Sequence, residues 1–280
     1  MGKYIPNTST EQKEMLKEIG FASFDELFSH VPKEVKLSAE LNIPSGKSEL
    51  EVRKIMTGMA KKNHVFPVIF RGAGAYRHFI PAIVKSVISK ENFLTSYTPY
   101  QAETSQGVLQ SIFEYQTMIC DITGMDVSNA SIYDGASAAA EAVNMCRERK
   151  RSKALVSALM HPDYISAIKT YCHGNGMEVE IIPEKNGLTD IDYIKAHADE
   201  GTAVVFIQHP NFHGNLEKAQ EIGEIAHEKG AKFGMSVNPI SLGLVKTPRE
   251  YGADVAVGVA QVDGVNRRNA LREGSRVGRF

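Results

Sequence analysis

Cysteine is scarce in this sequence of 280 residues: Cys120, Cys146 and Cys172 are all there is, an odd number at spacings that match no zinc or redox motif. Cys120 and Cys146 fall in apolar helical patterns and read as reduced core residues rather than chemical ones. Net charge is almost absent too, because 32 Lys and Arg oppose 33 Asp and Glu. Bulk charge therefore gives no reason to expect nucleic acid or an anionic membrane, and a small molecule or a protein is the expected partner. No run approaches the roughly eighteen uninterrupted apolar residues of a membrane span. Met1-Gly2-Lys3-Tyr4-Ile5-Pro6 lacks the apolar core of a signal peptide, so the cytoplasm is the expected location. Internal repeats, low-complexity tracts and Gly/Ser linkers are missing as well.

What is present is ordinary globular material, 42% hydrophobic and 23% charged, enough to bury a sizeable core. Residues 1–65 read as a helical arm. Ser23-Phe24-Asp25-Glu26 fits a capping box, and Leu50, Ile55, Met56 and Met59 recur at roughly helical spacing between Ser48 and Lys61. From Glu103 to Thr123 the apolar positions Val108, Leu109, Ile112, Tyr115, Met118 and Ile119 predict a long amphipathic helix.

The rhythm then changes. Strand-like runs at Ala154–Val156, Val179–Ile182, Ala203–Ile207, Lys232–Met235 and Val255–Val257 alternate with helical stretches near 137–150, 162–172, 189–198 and 215–229. That alternation predicts a three-layer α/β domain over residues 66–261, a mostly parallel sheet with helices on both faces. In the tail, 262–280, five arginines crowd among Asn, Gly and Ser, which reads as a disordered segment.

Three stretches could carry chemistry. Arg71-Gly72-Ala73-Gly74-Ala75-Tyr76-Arg77-His78 gives a tight turn with two hydrogen-bonding side chains; a strained turn with a packed tyrosine fits the same spacing. Tyr97-Thr98-Pro99-Tyr100-Gln101, with Glu103 following, is a loop whose proline fixes one φ, so phenol, amide and carboxylate can be presented together. An ordinary helix entry capped by Thr104 or Ser105 is the alternative. Gly135-Ala136-Ser137 opens an Ala-rich helix whose unpaired amides suit a phosphate or carboxylate, while Asp134 can cap the same amides. His161, His173, His209 and His213 come from different elements without compact ligand spacing, so no metal site is expected. His209-Pro210-Asn211-Phe212 does lie at a strand end, where α/β sheets place ligands.

Taken in series, Gly72-Ala73-Gly74-Ala75-Tyr76 with His78-Phe79-Ile80-Pro81, then Tyr97-Thr98-Pro99-Tyr100-Gln101 with Glu103 and Ser105-Gln106-Gly107, then Asn129-Ala130-Ser131 with Tyr133-Asp134-Gly135-Ala136-Ser137, resemble a known succession. In order and spacing they are similar to the signatures of the glycine dehydrogenase (decarboxylating) family, the P-protein of the glycine cleavage system. The likeness is to its amino-terminal half, in many bacteria and archaea a separate subunit 1. It runs from about Tyr4 to Gln261, and Val237-Asn238-Pro239-Ile240-Ser241-Leu242-Gly243-Leu244 with Glu250-Tyr251-Gly252-Ala253-Asp254 continues it.

The resemblance implies the large domain of a pyridoxal-phosphate (PLP) enzyme of the aspartate aminotransferase type, fold type I. It also implies pairing with a homologous subunit 2 that holds PLP covalently, so no covalent cofactor and no catalytic residue are expected on this chain. The complex would decarboxylate glycine and pass the aminomethyl group to the lipoyl arm of H-protein. Tyr97, Tyr100 and Gln101, with Tyr76 and His78 behind them, are the expected contributors to an active site at the subunit interface. Ser236-Val237-Asn238 offers amide and hydroxyl where a PLP ring nitrogen wants an acid, and Lys246 reads as a solvated lysine. Val262 to Phe280 resembles nothing in the family, so a shifted reading frame or a shortened chain lacking the carboxy-terminal domain is expected. A fragment that only binds a partner, and an autonomous PLP decarboxylase or aminotransferase using Lys246, remain as alternatives.

Overall fold

The computed structural model of the chain describes residues 7–37, 39, 41–70 and 79–259, together with the backbone of 274–278. It divides into two compact units, Met1–Phe70 and Arg71–Phe280.

The first unit is built from helices α1 (Ser9–Glu18), α2 (Phe24–Leu27) and α3 (Glu49–Ala60), with a 3-10 turn at Lys33–Val35. Side-chain caps explain where the two longer helices begin. The Thr8 hydroxyl accepts from the Glu11 amide while the Glu11 carboxylate accepts from the Thr8 amide, and Ser48 and Glu51 repeat that exchange. Each such box satisfies two otherwise unpaired amides. At Ser23 the box is only half formed. Its hydroxyl accepts from Glu26 N, but the Glu26 carboxylate turns to the Ala22 amide at 2.7 Å.

The second unit carries α4 (Ala82–Ile88), α5 (Glu91–Leu94), α6 (Gly107–Thr123), β1 (Val127–Ser128), α7 (Gly135–Met145), β2 (Lys153–Ser157), α8 (Pro162–Gly174) and β3 (Glu178–Ile182). There follow a small hairpin of β4 (Glu184–Lys185) and β5 (Leu188–Thr189), then α9 (Ile191–His197), β6 (Thr202–His209), α10 (Ala219–Glu228), β7 (Lys232–Val237), a 3-10 turn Pro239–Gly243, β8 (Val255–Val259) and β9 (Gly274–Gly278). The main sheet runs β1-β9-β8-β7-β6-β2-β3. From β8 to β3 all pairings are parallel, and β9 is antiparallel to both its neighbours.

Successive residues of a strand face opposite sides, and here both sides are apolar. Val204 and Phe206 of β6 join Ala154 and Val156 under α7 and α8, where Ala138, Ala139, Ala142, Val143, Ile168 and Cys172 complete one layer. Val205 and Ile207 join Leu155, Phe233 and Met235 against Ile194 of α9 and Ile222 and Ala226 of α10. A parallel strand buried on both faces needs this continuous apolar run and a helix layer on each side.

Two expectations change. Helix α6 begins at Gly107, four residues later than the apolar spacing predicts, because Glu103 is drawn into the preceding loop. The Arg-rich tail, expected to lack regular structure, contributes β9, whose backbone pairs Val255 with Gly278 through Val259 with Gly274. The open edge of β8 bonds through main-chain groups, which impose no side-chain pattern on the strand that joins it.

Gly234 shows how tightly the layers meet. It sits opposite Phe206 in the β6–β7 register, and a Cβ there would lie 2.2 Å from the Phe206 ring. Gly234→Ala is expected to lower stability to urea by about 1–3 kcal/mol. The loss should shrink in a Phe206→Leu background, and equal losses in both backgrounds would refute the ring contact as the cause.

Candidate functional site

From β2 the chain moves outward to β3, then returns past β2 to β6, so its winding reverses between β2 and β6. Ligands of open α/β sheets bind beyond the carboxyl ends of strands at such a reversal. Here that edge is filled by the chain's own side chains. His161, the N-cap of α8, takes the Gln208 side chain on its amide at 2.8 Å, and the Phe212 amide donates to Leu159 O at 2.8 Å. The His161 ring lies 5.0 Å from Phe212, edge to face, and 5.4 Å from Tyr164.

Beneath them His209 is buried. Its Nδ1 accepts from the Glu217 amide at 3.1 Å, so the proton sits on Nε2, which has no hydrogen-bond partner among the described residues. Burial holds its pKa below the ordinary histidine value, which keeps the ring neutral. The buried Glu217 carboxylate accepts from Thr189 N at 3.0 Å and from Asn211 Nδ2 at 2.8 Å, and Thr189 shares a hydroxyl bond with Ser157. This network ties the β4–β5 hairpin to the ends of β2 and β6, and its members are positioning groups.

At the start of α7, Asp134 uses one oxygen for the Ser137 amide at 2.8 Å and the other for the Ser137 hydroxyl at 2.9 Å. The Tyr164 ring lies over Gly135, where an added Cβ would fall 1.9 Å from the phenol oxygen. A phosphate arriving at Gly135, Ala136 and Ser137 would therefore meet a carboxylate on one amide and a phenol above another. Burial, then the nearby Asp134 charge, pushes the Tyr164 phenol up to about 12.

Tyr97, Tyr100 and Gln101 lie together on the loop between α5 and α6, with both tyrosine rings in water, 89% and 79% exposed. Tyr76 and His78 lie outside the described residues. Asn238 caps the turn after β7 through Ile240 N at 3.1 Å. Lys246, the only lysine between Phe233 and Val259, donates to Gln220 Oε1 of α10 at 3.1 Å and sits 6.0 Å above the Tyr251 ring. At this edge, then, Asp134 caps the start of α7, Asn238 Oδ1 accepts from the turn it opens, and the Lys246 amine is bonded on the surface to Gln220. Among them no group of three or more His, Cys, Asp or Glu is placed to hold a metal ion. No described helix is long and apolar enough to cross a membrane. Tyr164 was not anticipated. Its signal is position, three residues after His161 and so on the same face of α8.

A family model described as glycine cleavage system P-protein matches residues 2–267. The probable glycine dehydrogenase (decarboxylating) subunit 1 of Carboxydothermus hydrogenoformans is 51% identical over 265 residues, 94% of this chain and 60% of that protein. Its namesake in Desulforamulus reducens is 47% identical over 266 residues, with the same shares. The chain thus spans 60% of the length of these curated relatives. A crystal structure of glycine decarboxylase (P-protein) of the glycine cleavage system, in inhibitor-bound form, superposes with a TM-score of 0.87 at 38% identity, over 99% of this chain and 63% of that one. The sphingosine-1-phosphate lyase of Burkholderia pseudomallei is alike in fold alone, with a TM-score of 0.61 at 15% identity over 89% of this chain and 63% of its own. The expected fold, the α/β large domain of a fold type I PLP enzyme, is the one shared with the P-protein structure.

The raised Tyr164 pKa makes a prediction about alkaline pH. In the unfolded chain the phenol ionises near 10, whereas in the folded chain it keeps its proton to about 12. The stabilisation is complete below the lower value and is lost as pH rises through the higher one, by on the order of 2–3 kcal/mol. Denaturant unfolding from pH 9 to 12 should show a steeper loss for the wild type than for Tyr164→Phe. Parallel curves would contradict it.

Proposed function

This chain belongs to the glycine cleavage system P-protein family, and from that premise we propose that it acts as the companion subunit of a two-subunit glycine decarboxylase. Subunit 2 holds PLP covalently, and the assembled complex decarboxylates glycine and hands the aminomethyl group to the lipoyl arm of H-protein. This chain completes the active site at the interface. It does so in the cytoplasm, and no catalytic group is assigned to it.

The observation that carries the reading is the filled carboxyl edge of the sheet. Asp134 and Tyr164 take up the start of α7, and the Lys246 amine is bonded to Gln220. In a fold whose ligands sit at that edge, such filling supports a subunit that shapes a site held mainly by its partner. Curated relatives carry the name subunit 1, which supports the existence of that partner. Within this reading Tyr97, Tyr100 and Gln101 orient cofactor or substrate and line the lipoyl-arm entrance, and Tyr76 and His78 are assigned to the same task. Exposed phenols suit that task, since they supply a large apolar face with one hydrogen-bonding tip.

Glycine–bicarbonate carbon exchange tests the proposal, with lipoylated H-protein and PLP present and three samples: this chain, subunit 2, and the two mixed. Exchange is expected from the mixture alone. Exchange by this chain without subunit 2 would overturn the cofactor assignment. A mixture no faster than subunit 2, where subunit 1 of a relative restores exchange, would overturn the companion role.

A further inference from the structure

The loop Ser96 to Glu103 is ordered without a core of its own. Its largest side chains, Tyr97 and Tyr100, stand in water, so apolar burial does not hold their backbone in place. One carboxylate does. Glu103 accepts from the Tyr97 amide with both oxygens, at 3.1 Å each, from the Thr98 amide at 2.9 Å and from the Ser96 hydroxyl at 3.1 Å. Bonds to an ionised acceptor are roughly twice as strong as neutral ones, and here they converge on three consecutive residues.

The rest of the loop is fixed from that anchor. Pro99 restricts φ at the corner, the Gln101 amide closes a turn onto Thr98 O at 3.1 Å, and the Gln101 side chain donates to Thr98 Oγ1 at 3.0 Å. At its base Thr95 Oγ1 and Ser105 Oγ are 2.5 Å apart. Gly107 fits closely on α5, where an added Cβ would stand 2.7 Å from Asn92 O. Two bulky aromatic rings are thus fixed at their backbone and left uncovered, an arrangement that lowers the ordering cost when a ligand or partner meets them.

We propose that Glu103 is the positioning residue of this loop, the clamp that holds Tyr97 and Tyr100 ready for the substrate and partner face. This rests on the companion-subunit reading for what the tyrosines meet, though not for the clamp itself. The carboxylate touches no reacting atom; it acts through Tyr97 and Tyr100.

The test uses the full chain with Glu103→Ala and Glu103→Gln. Amide hydrogen exchange at Tyr97 and Thr98 is expected to quicken about tenfold or more in E103A and less in E103Q, which keeps one acceptor oxygen, while amides in β6 and α7 keep their rates. In glycine–bicarbonate exchange with saturating subunit 2, kcat/KM for glycine is expected to fall about tenfold in E103A. It should fall little further when E103A is added to a Tyr97→Ala, Tyr100→Ala chain, because the clamp acts through those two rings. Unchanged amide exchange at Tyr97 and Thr98 overturns the clamp. An active complex in which E103A matches the wild type, or in which the E103A loss persists in full without the two tyrosines, overturns its role in positioning them. A wild-type mixture with no exchange counts against the companion reading instead, and the amide rates then decide the clamp.

Discussion

Burial of both faces of β6 is the constraint from which the larger unit follows. Val204 and Phe206 look to one side, Val205 and Ile207 to the other, and none of the four has contact with water. Each such side chain contributes about 1.5–3 kcal/mol when fully buried, a gain that requires a helix layer on either side of the sheet. The Ala-rich α7 and α8 supply one layer, α9 and α10 the other. Gly234 is part of the same constraint, since the Phe206 ring fills the space a side chain would need. With β2 and β3 on one flank of β6 and β7 and β8 on the other, the carboxyl ends of the parallel strands converge on one edge.

That edge and the Tyr97 loop are built on opposite physical terms. At the edge, buried and half-buried polar groups bond mostly to one another, His209 Nε2 excepted. Glu217 is held by neutral donors, His209 is kept neutral by burial, and Asp134 is used up on the helix it caps. Networks of this kind fix geometry, because a bond that Glu217 or Asn211 gave to a newcomer would be taken from a buried partner. In the loop the order is reversed. The polar backbone is satisfied internally and the aromatic surface is left open.

Most of the architecture was legible because it rests on periodicity. The strand-like runs at 154–156, 179–182, 203–207, 232–235 and 255–257 lie within β2, β3, β6, β7 and β8, and the alternation with helices gave the fold class. Ser23 as a cap was legible from chemistry alone. The β4–β5 hairpin was passed over although Asn186-Gly187 sits at its turn, both with positive φ of 56° and 77°, which is the pairing a tight hairpin needs. Its strands are two residues each, too short for alternation to register. Strand β9 had no pattern to find. For α6, Leu109 to Ile119 marked the body, but the start depended on whether Glu103 joined the helix or the loop, and spacing does not decide between them.

The site was legible to a different depth for a related reason. Motif order alone led to the family, because glycines, prolines and tyrosines in fixed succession survive in a linear reading. Tyr164 over Gly135 and Gln208 on the His161 amide join residues 29 and 47 positions apart, and only the sheet's winding brings them together. The start of α7 makes the point sharply. Asp134 before Gly135-Ala136-Ser137 was equally consistent with an anion site and with a self-capped helix. The group that spacing could not supply came from α8, whose phenol lies against Gly135 while Asp134 bonds Ser137. A helix start in sequence is thus an offer of amides; whether the offer stands depends on which side chains the rest of the fold brings to it.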